Sequence, residues 1–351
     1  MGGELEAEGD IWAGVDRLID RARGLADLRA HRLQHLAARR WRSLGRPVPD
    51  DLVHEEHAAA VVALAAPLLL ARVREVYDGP AIVVKGPVVA ARYPDAALRP
   101  FSDLDLIVPD AAELQSALVD AGFREVGNPE IYLDIHHLRP LWSEGLPLVL
   151  ELHTAPKWID SLEPPSQEEL FSVAVPGTLD LAGALTLPPA HHALVLTTHS
   201  WAHEPLRRIR ELLDVVLVAE EAERRELEDL ARRWNVARPW RTTIAAAEAL
   251  FLGGRTPLPL RVWARHLPGV RERTVLDTHL RRWLSDFSVL PPRRALRSLT
   301  VALARDVKPA PGEGWKPKLS RIGQAFRRAL VRRSEHDDRL GDSAAPPRRS
   351  K

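Results

Sequence analysis

The stretch Asp-Leu-Asp-Leu-Ile-Val, residues 103–108, carries the clearest structural signal in the chain. Acidic and aliphatic residues alternate before Pro109, which predicts a short strand whose aliphatic side chains enter a core. Residues two apart on a strand project from the same face, so Asp103 and Asp105 are expected side by side. Neighbouring carboxylates repel each other unless a divalent cation lies between them, and Mg²⁺ prefers carboxylate oxygen. The stretch therefore predicts a metal site at one end of a strand.

The residues before this stretch predict another strand, a tight turn and a helix. Ala81–Val84 is apolar and rich in β-branched residues, and Lys85-Gly86-Pro87 follows it. Proline is favoured at the first position of a helix, so a helix is expected from Pro87 to about Tyr93. Gly86 would allow the backbone to approach a nucleotide closely, and the helix could direct its positive end at a phosphate.

The residues after the acidic strand predict a helix and a hairpin. Asp110 and Glu113 resemble a capping box for a helix over 111–121. The runs 131–138 and 148–153 are separated by a turn-rich segment and predict two antiparallel strands. Together with the first strand, these elements define a small α/β unit.

A third carboxylate is expected on the last strand of this unit. Glu151 shares a face with His153, whereas the neighbouring leucines point into the core. Asp134, on the polar face of the preceding predicted strand, is the competing residue. Three carboxylates on neighbouring strands can hold two Mg²⁺ or Mn²⁺ ions for displacement at phosphorus. Lys85 and Arg99 are cations placed to contact the phosphates.

The flanking sequence is helical, so we expect an α+β protein with a small mixed-sheet core between two helical regions. Residues 11–44 predict one or two helices, and 50–77 predict a helix that Pro67 kinks or divides. Residues 189–224 predict one long helix. The expected divisions are an N-terminal helical extension at 1–78, the core at 79–160, a helical C-terminal region at 161–333 and a disordered basic tail at 334–351.

The composition narrows the possible chemistry. Of the residues, 45% are hydrophobic and 28% charged, which is ordinary for a globular protein, and cysteine is absent. Disulfides, thiolate metal sites and cysteine nucleophiles are therefore excluded. The longest apolar stretch, 58–71, is too short to cross a bilayer, and the acidic N-terminus is unlike a secretory signal. We therefore expect no membrane span and a cytoplasmic location.

These motifs resemble the uncharacterised nucleotidyltransferase family of the DNA polymerase β superfamily. The resemblance rests on Val-Val-Lys-Gly at 83–86, Leu-Arg-Pro at 98–100, Ser-Asp-Leu-Asp-Leu-Ile-Val at 102–108 and Leu-Glu-Leu-His at 150–153, and it covers roughly 82–220. It implies a polymerase-β-like core that transfers a nucleoside monophosphate from a nucleoside triphosphate (NTP). Pyrophosphate would be released.

The resemblance also implies roles for individual residues. Asp103, Asp105 and Glu151 would be the catalytic metal ligands. The nucleotide would contact Lys85, Gly86, Arg99, Ser102 and His153, although His153 could instead simply hydrogen-bond a neighbour. The chain departs from the wider superfamily where Pro87 replaces the serine of a Gly-Ser turn, so Lys85 is expected to take over that phosphate contact.

Two other classes of function fit parts of the sequence. A catalytically silent nucleotide-binding or regulatory module could keep the same fold. His199 and His203 are four residues apart, a spacing that can chelate zinc on a helix, so a zinc-dependent hydrolase is the second alternative. The acceptor is open among a small molecule, a peptide or protein and an RNA end. The basic tail could contact nucleic acid.

Overall fold

The computed structural model describes residues 10–132, 137–177, 183–308 and 314–329. Seven strands of these residues form one mixed sheet in the order β3-β4-β5-β2-β1-β7-β6, which confirms the expected α+β class. The strands are β1 (Ile82–Val83), β2 (Asp103–Ile107), β3 (Arg124–Glu125), β4 (Leu141–Trp142), β5 (Val149–His153), β6 (Val175–Pro176) and β7 (Leu185–Thr186).

The centre of the sheet is the pair β2 and β5, which run parallel in full register. Asp105 pairs with Glu151, and Leu104 pairs with Leu150. The leucines of both strands are almost completely buried. Burial of a leucine side chain contributes roughly 1.5–3 kcal/mol, so this apolar face fixes the register that brings the acidic residues together on the other face.

The hairpin is present, but its first strand lies later in the chain than predicted. β4 at Leu141–Trp142 pairs antiparallel with β5, and the turn between them follows at 143–148. Within the predicted strand 131–138, residues up to Tyr132 are in a 3-10 helix, and His137 forms a bridge with His153. Residues 133–136, including Asp134, lie outside the described part of the chain.

Fifteen α-helices occur in the described residues, and they flank the sheet. They are α1 (Ile11–Arg21), α2 (Leu25–Ala30), α3 (Gln34–Ser43), α4 (Asp50–Arg74), α5 (Pro87–Ala90), α6 (Ala111–Asp120), α7 (Gln167–Val173), α8 (Pro189–His203), α9 (Ile209–Ala219), α10 (Arg224–Arg233), α11 (Ala237–Phe251), α12 (Leu258–Val262), α13 (Val275–Leu284), α14 (Pro292–Val307) and α15 (Trp315–Ala329).

Several helix boundaries differ from those predicted. Residues 11–44 form three helices, and residues 189–224 form α8, α9 and the first residue of α10. α4 crosses Pro67 without a break, and exposed neighbours such as Leu64 leave room for solvent to replace the missing hydrogen bond. Asp110 precedes α6 but makes no side-chain cap bond, so the predicted capping box is absent.

One apolar core joins the sheet to the surrounding helices. It contains Leu18 of α1, Leu69 of α4, Leu104 of β2, Leu213 of α9 and Phe251 of α11. The helical regions therefore pack directly on the strands that carry the acids. The sheet also takes two short strands from 175–186, beyond the range proposed for the core. The division into domains remains a prediction.

Among the described helices, α4 alone is long and apolar enough, by length and composition, to cross a membrane. The sequence predicted a helix here but no membrane span. Leu69, Leu70 and Val73 of α4 are completely buried in the core. Core helices pass the same test, so the length and composition of α4 are weak evidence for a span.

Candidate active site

The polar faces of β2 and β5 bring Asp105, Glu151 and His153 together. The nearest ligand atoms of these three side chains all lie within 4.8 Å of one another. His153 Nε2 lies 3.1 Å from Asp105 Oδ1 and 3.7 Å from Glu151 Oε2. The ring of His137 stacks at a tilt on that of His153, with centroids 5.2 Å apart. This cluster lies at the centre of the sheet and opens to the surface through Glu151.

The donor set of this cluster fits a divalent cation. Asp105 is 1% exposed, and its Oδ2 has no hydrogen-bond partner among the described residues. A buried, unsatisfied carboxylate oxygen is costly unless a cation or donor reaches it. Two carboxylates and one imidazole suit Mg²⁺ or Mn²⁺, and the imidazole favours Mn²⁺ more than Mg²⁺.

The two carboxyl groups of the cluster have very different acidities. Burial, with the charges of Asp105 and Asp103, raises the pKa of Glu151 to about 7. Burial also acts to raise the pKa of Asp105, but the Lys85 ammonium and the His153 hydrogen bond outweigh it and hold this pKa well below its ordinary range. Repulsion between two carboxylates in one site separates their pKa values in this way. A bound cation would favour the ionised form of both.

Asp103 lies on the same face but stands apart from the three-residue cluster. It pairs with Val149 at the start of β2, is half-buried and lines an adjacent cleft. Its carboxylate is close enough to raise the pKa of Glu151. The structure therefore places Asp103 at the border of the cluster.

Lys85 lies directly on the acidic cluster. Its Nζ is 2.9 Å from Asp105 Oδ1 and 2.9 Å from His199 Nε2. Burial, with the nearby Lys85 charge, lowers the pKa of His199 well below its ordinary value, so its neutral ring accepts a hydrogen bond from the Lys85 ammonium. The predicted phosphate ligand is thus held beside the acids by a neutral histidine.

The zinc site considered as an alternative at His199 and His203 does not assemble in the described residues. Their rings are in contact, with centroids 4.6 Å apart, but a lysine ammonium lies on each: Lys85 on His199, and Lys157 Nζ 2.9 Å from His203 Nδ1. Two cations at the ring nitrogens disfavour a metal ion there. The group of possible metal ligands found within the described ranges contains neither histidine.

Arg99 makes a buried ion pair and also lines the cleft beside the acids, so its role as a phosphate ligand stays a prediction. Its Nε and Nη2 donate to Asp214 at 2.8 and 2.9 Å, and its Nη1 donates to the Gly86 carbonyl at 3.3 Å. Tyr93 Oη donates to the same carboxylate at 2.7 Å. Burial acts to raise the pKa of Asp214, but the Arg99 guanidinium outweighs it and lowers that pKa. Arg99 therefore ties the Lys85–Gly86 turn to α9.

The turn at Gly86 matches the expectation for glycine, but the helix after it is short. Gly86 has φ +59°, and a Cβ there would lie 3.3 Å from the Asp103 carbonyl oxygen. α5 has only four residues and begins with proline, so it offers little dipole and one donor fewer than a normal helix start. Ser102 is exposed and lines the cleft beside Asp103.

A cleft of about 330 Å³ adjoins the acids and contains several arginines that the sequence analysis did not assign. It is lined by Lys85, Gly86, Ser102 and Asp103 on the sheet side. The opposite wall carries Arg32, Arg207, Arg208 and Arg210, together with the carboxylates of Glu211 and Asp214. The Arg-rich run before Asp214 was the only sequence signal for these residues, and nothing in the local sequence of Arg32 indicated a role.

Comparison with known families agrees with this geometry. A family model described as an uncharacterised nucleotidyltransferase matches residues 19–252, which is more than half of the chain. The match includes the sheet strands, the acidic cluster and both walls of the cleft. No match was found among the curated proteins or among the solved structures.

Proposed function

The chain belongs to the uncharacterised nucleotidyltransferase family, and we propose that it transfers a nucleoside monophosphate from a metal-bound NTP to an acceptor hydroxyl or amine. Pyrophosphate is the leaving group. The family supports the kind of reaction, a nucleotidyl transfer. The proposal adds the divalent metal, the named ligands and the class of acceptor atom.

One observation carries the proposal: the parallel register that sets Asp105 beside Glu151 while Asp105 Oδ2 stays unbonded. Paired carboxylates with an unsatisfied oxygen are the ligands that phosphoryl-transfer sites use for hard cations. The neighbouring cleft, at about 330 Å³, is within the size range of small-molecule sites, and its lining contains more cations than carboxylates. Both features lie inside the matched range.

The protein residues divide the work of binding and orientation. Asp105 and Glu151 would hold the metal, and Asp103 would complete its shell from the edge of the cleft. His153 orients Asp105 through its hydrogen bond. A bound divalent ion would neutralise phosphate charge and lower the pKa of the attacking hydroxyl. Lys85 would move its ammonium from Asp105 toward a phosphate, a short displacement for a flexible side chain.

A silent nucleotide-binding module is the second candidate, and one contact favours it. Lys85 already neutralises Asp105, as a permanent internal substitute for a cation would. In that case the nucleotide would bind without release of pyrophosphate. The acceptor remains a proposal in either case, with a small molecule, a peptide or protein and an RNA end as the classes. A cytoplasmic location and nucleic-acid binding through the tail at 334–351 also remain predictions.

The deciding experiment measures label transfer from NTPs that carry ³²P at the α or the γ phosphate. Purified protein is incubated with Mg²⁺ or Mn²⁺ and pools of hydroxylated small molecules, peptides and RNA. We expect transfer of the α label alone. Asp105→Asn should lower the rate by about a thousandfold, because metal stabilisation of the transition state contributes several kcal/mol.

The matched control is Asp110→Asn, an exposed aspartate shortly after the same strand. It should leave the rate within about twofold, as surface substitutions usually do. Transfer that persists in Asp105→Asn would contradict the metal assignment. Nucleotide binding with no transfer from any pool would favour the silent module.

A further inference from the structure

The predicted phosphate ligands provide little positive charge for an NTP. Arg99 is paired with Asp214, and α5 is too short to act as an anion site. Lys85 remains as the one predicted ligand with a movable charge, whereas an NTP has several negative charges on its phosphates. A divalent ion at the acids would neutralise only part of that charge, so the arginines that line the cleft are the candidate ligands of the terminal phosphates.

Arg210, at the start of α9, is a buried cation without an acid of its own. It is 6% exposed, and its Nε has no partner in the described part of the chain. Nη1 donates to the Pro100 carbonyl at 2.7 Å, a neutral acceptor. Asp214 is one turn away, but Arg99 and Tyr93 already bond both of its oxygens. Buried arginines are normally paired with an anion, and this one lines the cleft.

The electrostatics of Arg210 agree with its contacts. Burial, with the neighbouring Arg99 charge, lowers its pKa to about 10. Two guanidinium groups thus share the single carboxylate of Asp214. The surplus positive charge lies next to the cleft, where a bound anion would offset the free-energy cost of burying that charge.

Arg32 faces the same cleft from the turn between α2 and α3. Its φ is +56°, and the amide of Leu33 closes the end of α2 on the Leu28 carbonyl at 2.9 Å. Glycine is the usual residue at such a helix end, because a side chain is strained there. The backbone amide of Arg210 donates to the His31 carbonyl at 3.4 Å, which brings the two arginines together.

We propose that Arg32 and Arg210 form a phosphate subsite that binds the terminal phosphates of the NTP beside Lys85. The inference rests on the proposed function. It means that the triphosphate extends from the acids toward α9, and that arginines of the helical regions replace the hydroxyl and amide missing at Gly86-Pro87. No contact made by Arg32 with an acidic side chain is found within the described ranges.

The test measures binding by titration calorimetry, with no turnover required. The ligands are inorganic tripolyphosphate in EDTA, a non-hydrolysable NTP analogue with Mg²⁺, and the matching nucleoside monophosphate with Mg²⁺. Arg32→Gln should weaken tripolyphosphate and NTP-analogue binding about tenfold, the effect of losing one charge-assisted contact. Monophosphate binding should change by less than about twofold. Arg210→Lys, which keeps the charge but not the planar fork, should give a smaller loss.

Two controls separate binding from folding. Arg225→Gln removes an arginine whose side chain is 94% exposed on α10, and it should leave all three affinities unchanged. Arg32→Gly should show the same weakening as Arg32→Gln with a melting temperature at least that of the wild type, because glycine relieves the strained turn. Weak binding in a stable protein assigns the loss to the missing cation.

The outcomes also distinguish this proposal from the reaction itself. If no NTP is a substrate but Arg32→Gly still weakens NTP-analogue binding, the subsite stands and the transfer reaction fails. Unchanged NTP-analogue affinity in both Arg32 variants would overturn the subsite. If the Arg32 variants weaken tripolyphosphate binding but not NTP-analogue binding, the subsite is overturned too. The arginines would then bind an anionic group of the acceptor and not the phosphates of the NTP. An equal loss for monophosphate and NTP analogue would also reject the assignment to terminal phosphates.

Discussion

Asp105 and Asp214 are both almost completely buried, and they differ in how fully their oxygens are bonded. Asp214 accepts three hydrogen bonds, from Tyr93 and Arg99, across both of its oxygens. Asp105 accepts from Lys85 and His153 through Oδ1, and its Oδ2 has no partner in the part of the chain that the structure describes. The first arrangement is complete without a ligand, whereas the second has a place for one.

The contrast separates a structural ion pair from a candidate site. A buried pair with every hydrogen bond made holds two elements in place, here the Gly86 turn and α9. A buried carboxylate with an open oxygen costs stability, and such a cost persists where it serves a ligand. Substitutions at the two aspartates test this distinction, because Asp214 should matter for stability and Asp105 for metal binding.

The largest expected effect is on stability, from Asp214→Asn. The substitution leaves Arg99 and Arg210 with no acid between them, so the free energy of unfolding should fall by about 3–5 kcal/mol. Asp105→Asn should lower it by less than about 2 kcal/mol, because it also removes the unbonded charge and Lys85 keeps its bond to His199. Urea denaturation followed by tryptophan fluorescence measures both. Equal losses would mean that the two acids play the same structural part.

Metal binding should give the next largest effect. Mn²⁺ at ten times its dissociation constant should raise the unfolding free energy of the wild type by about 1.4 kcal/mol, because it binds only the folded chain. Asp105→Asn should abolish this increment. Asp214→Asn should keep it, although its baseline is lower. A metal increment that survives in Asp105→Asn would place the ion elsewhere.

The smallest expected effect is a pH dependence of stability, which arises from His192 near the Arg99–Asp214 ion pair. Burial, with the charges of Arg92 and Arg99, lowers the pKa of His192 to about 4, and its Nε2 lies 2.6 Å from the Val84 carbonyl oxygen. The unfolded chain binds this proton near pH 6.5, so the unfolding free energy falls as the pH drops from 6.5 to 4. Between pH 6 and 5 the loss should be about 1 kcal/mol.

His192→Gln should remove that share of the pH dependence, whatever its effect on stability at pH 7. The exposed His57→Gln variant of α4 is the control for the loss of a histidine side chain outside the core. The measurement is the difference in unfolding free energy between pH 6 and pH 5 for each protein. Equal differences in the wild type and His192→Gln would show that His192 titrates alike in both states.

The sequence predicted the parts of the site that depend on strand alternation. Apolar and polar residues alternate in 103–108 and in 148–153, and this alternation predicted β2 and β5. It also predicted that Asp105 and Glu151 lie on the polar faces of their strands. The two-residue strands β4, β6 and β7 have no such period, because a strand this short is defined by its partner. For the same reason the first hairpin strand was placed too early.

The partners of the cations could not be read from the sequence. Arg99 and Asp214 are 115 positions apart, and only the packing of α9 on the sheet brings them together. Arg32 and Arg210 also meet across distant parts of the chain. An arginine near an acidic motif, such as Arg99, is predicted to bind phosphate from its position in the sequence. The sequence does not show whether a distant acid already pairs with that arginine.

The parallel pairing of β2 and β5 has a consequence for folding. Parallel strands need a long connection, and here all of α6, β3 and β4 must be traversed before Glu151 reaches Asp105. Such long-range contacts form slowly, since loop closure comes before any gain from packing. During synthesis both aspartates emerge well before their partner, so a nascent chain that ends before Val149 would chelate no ion with this cluster.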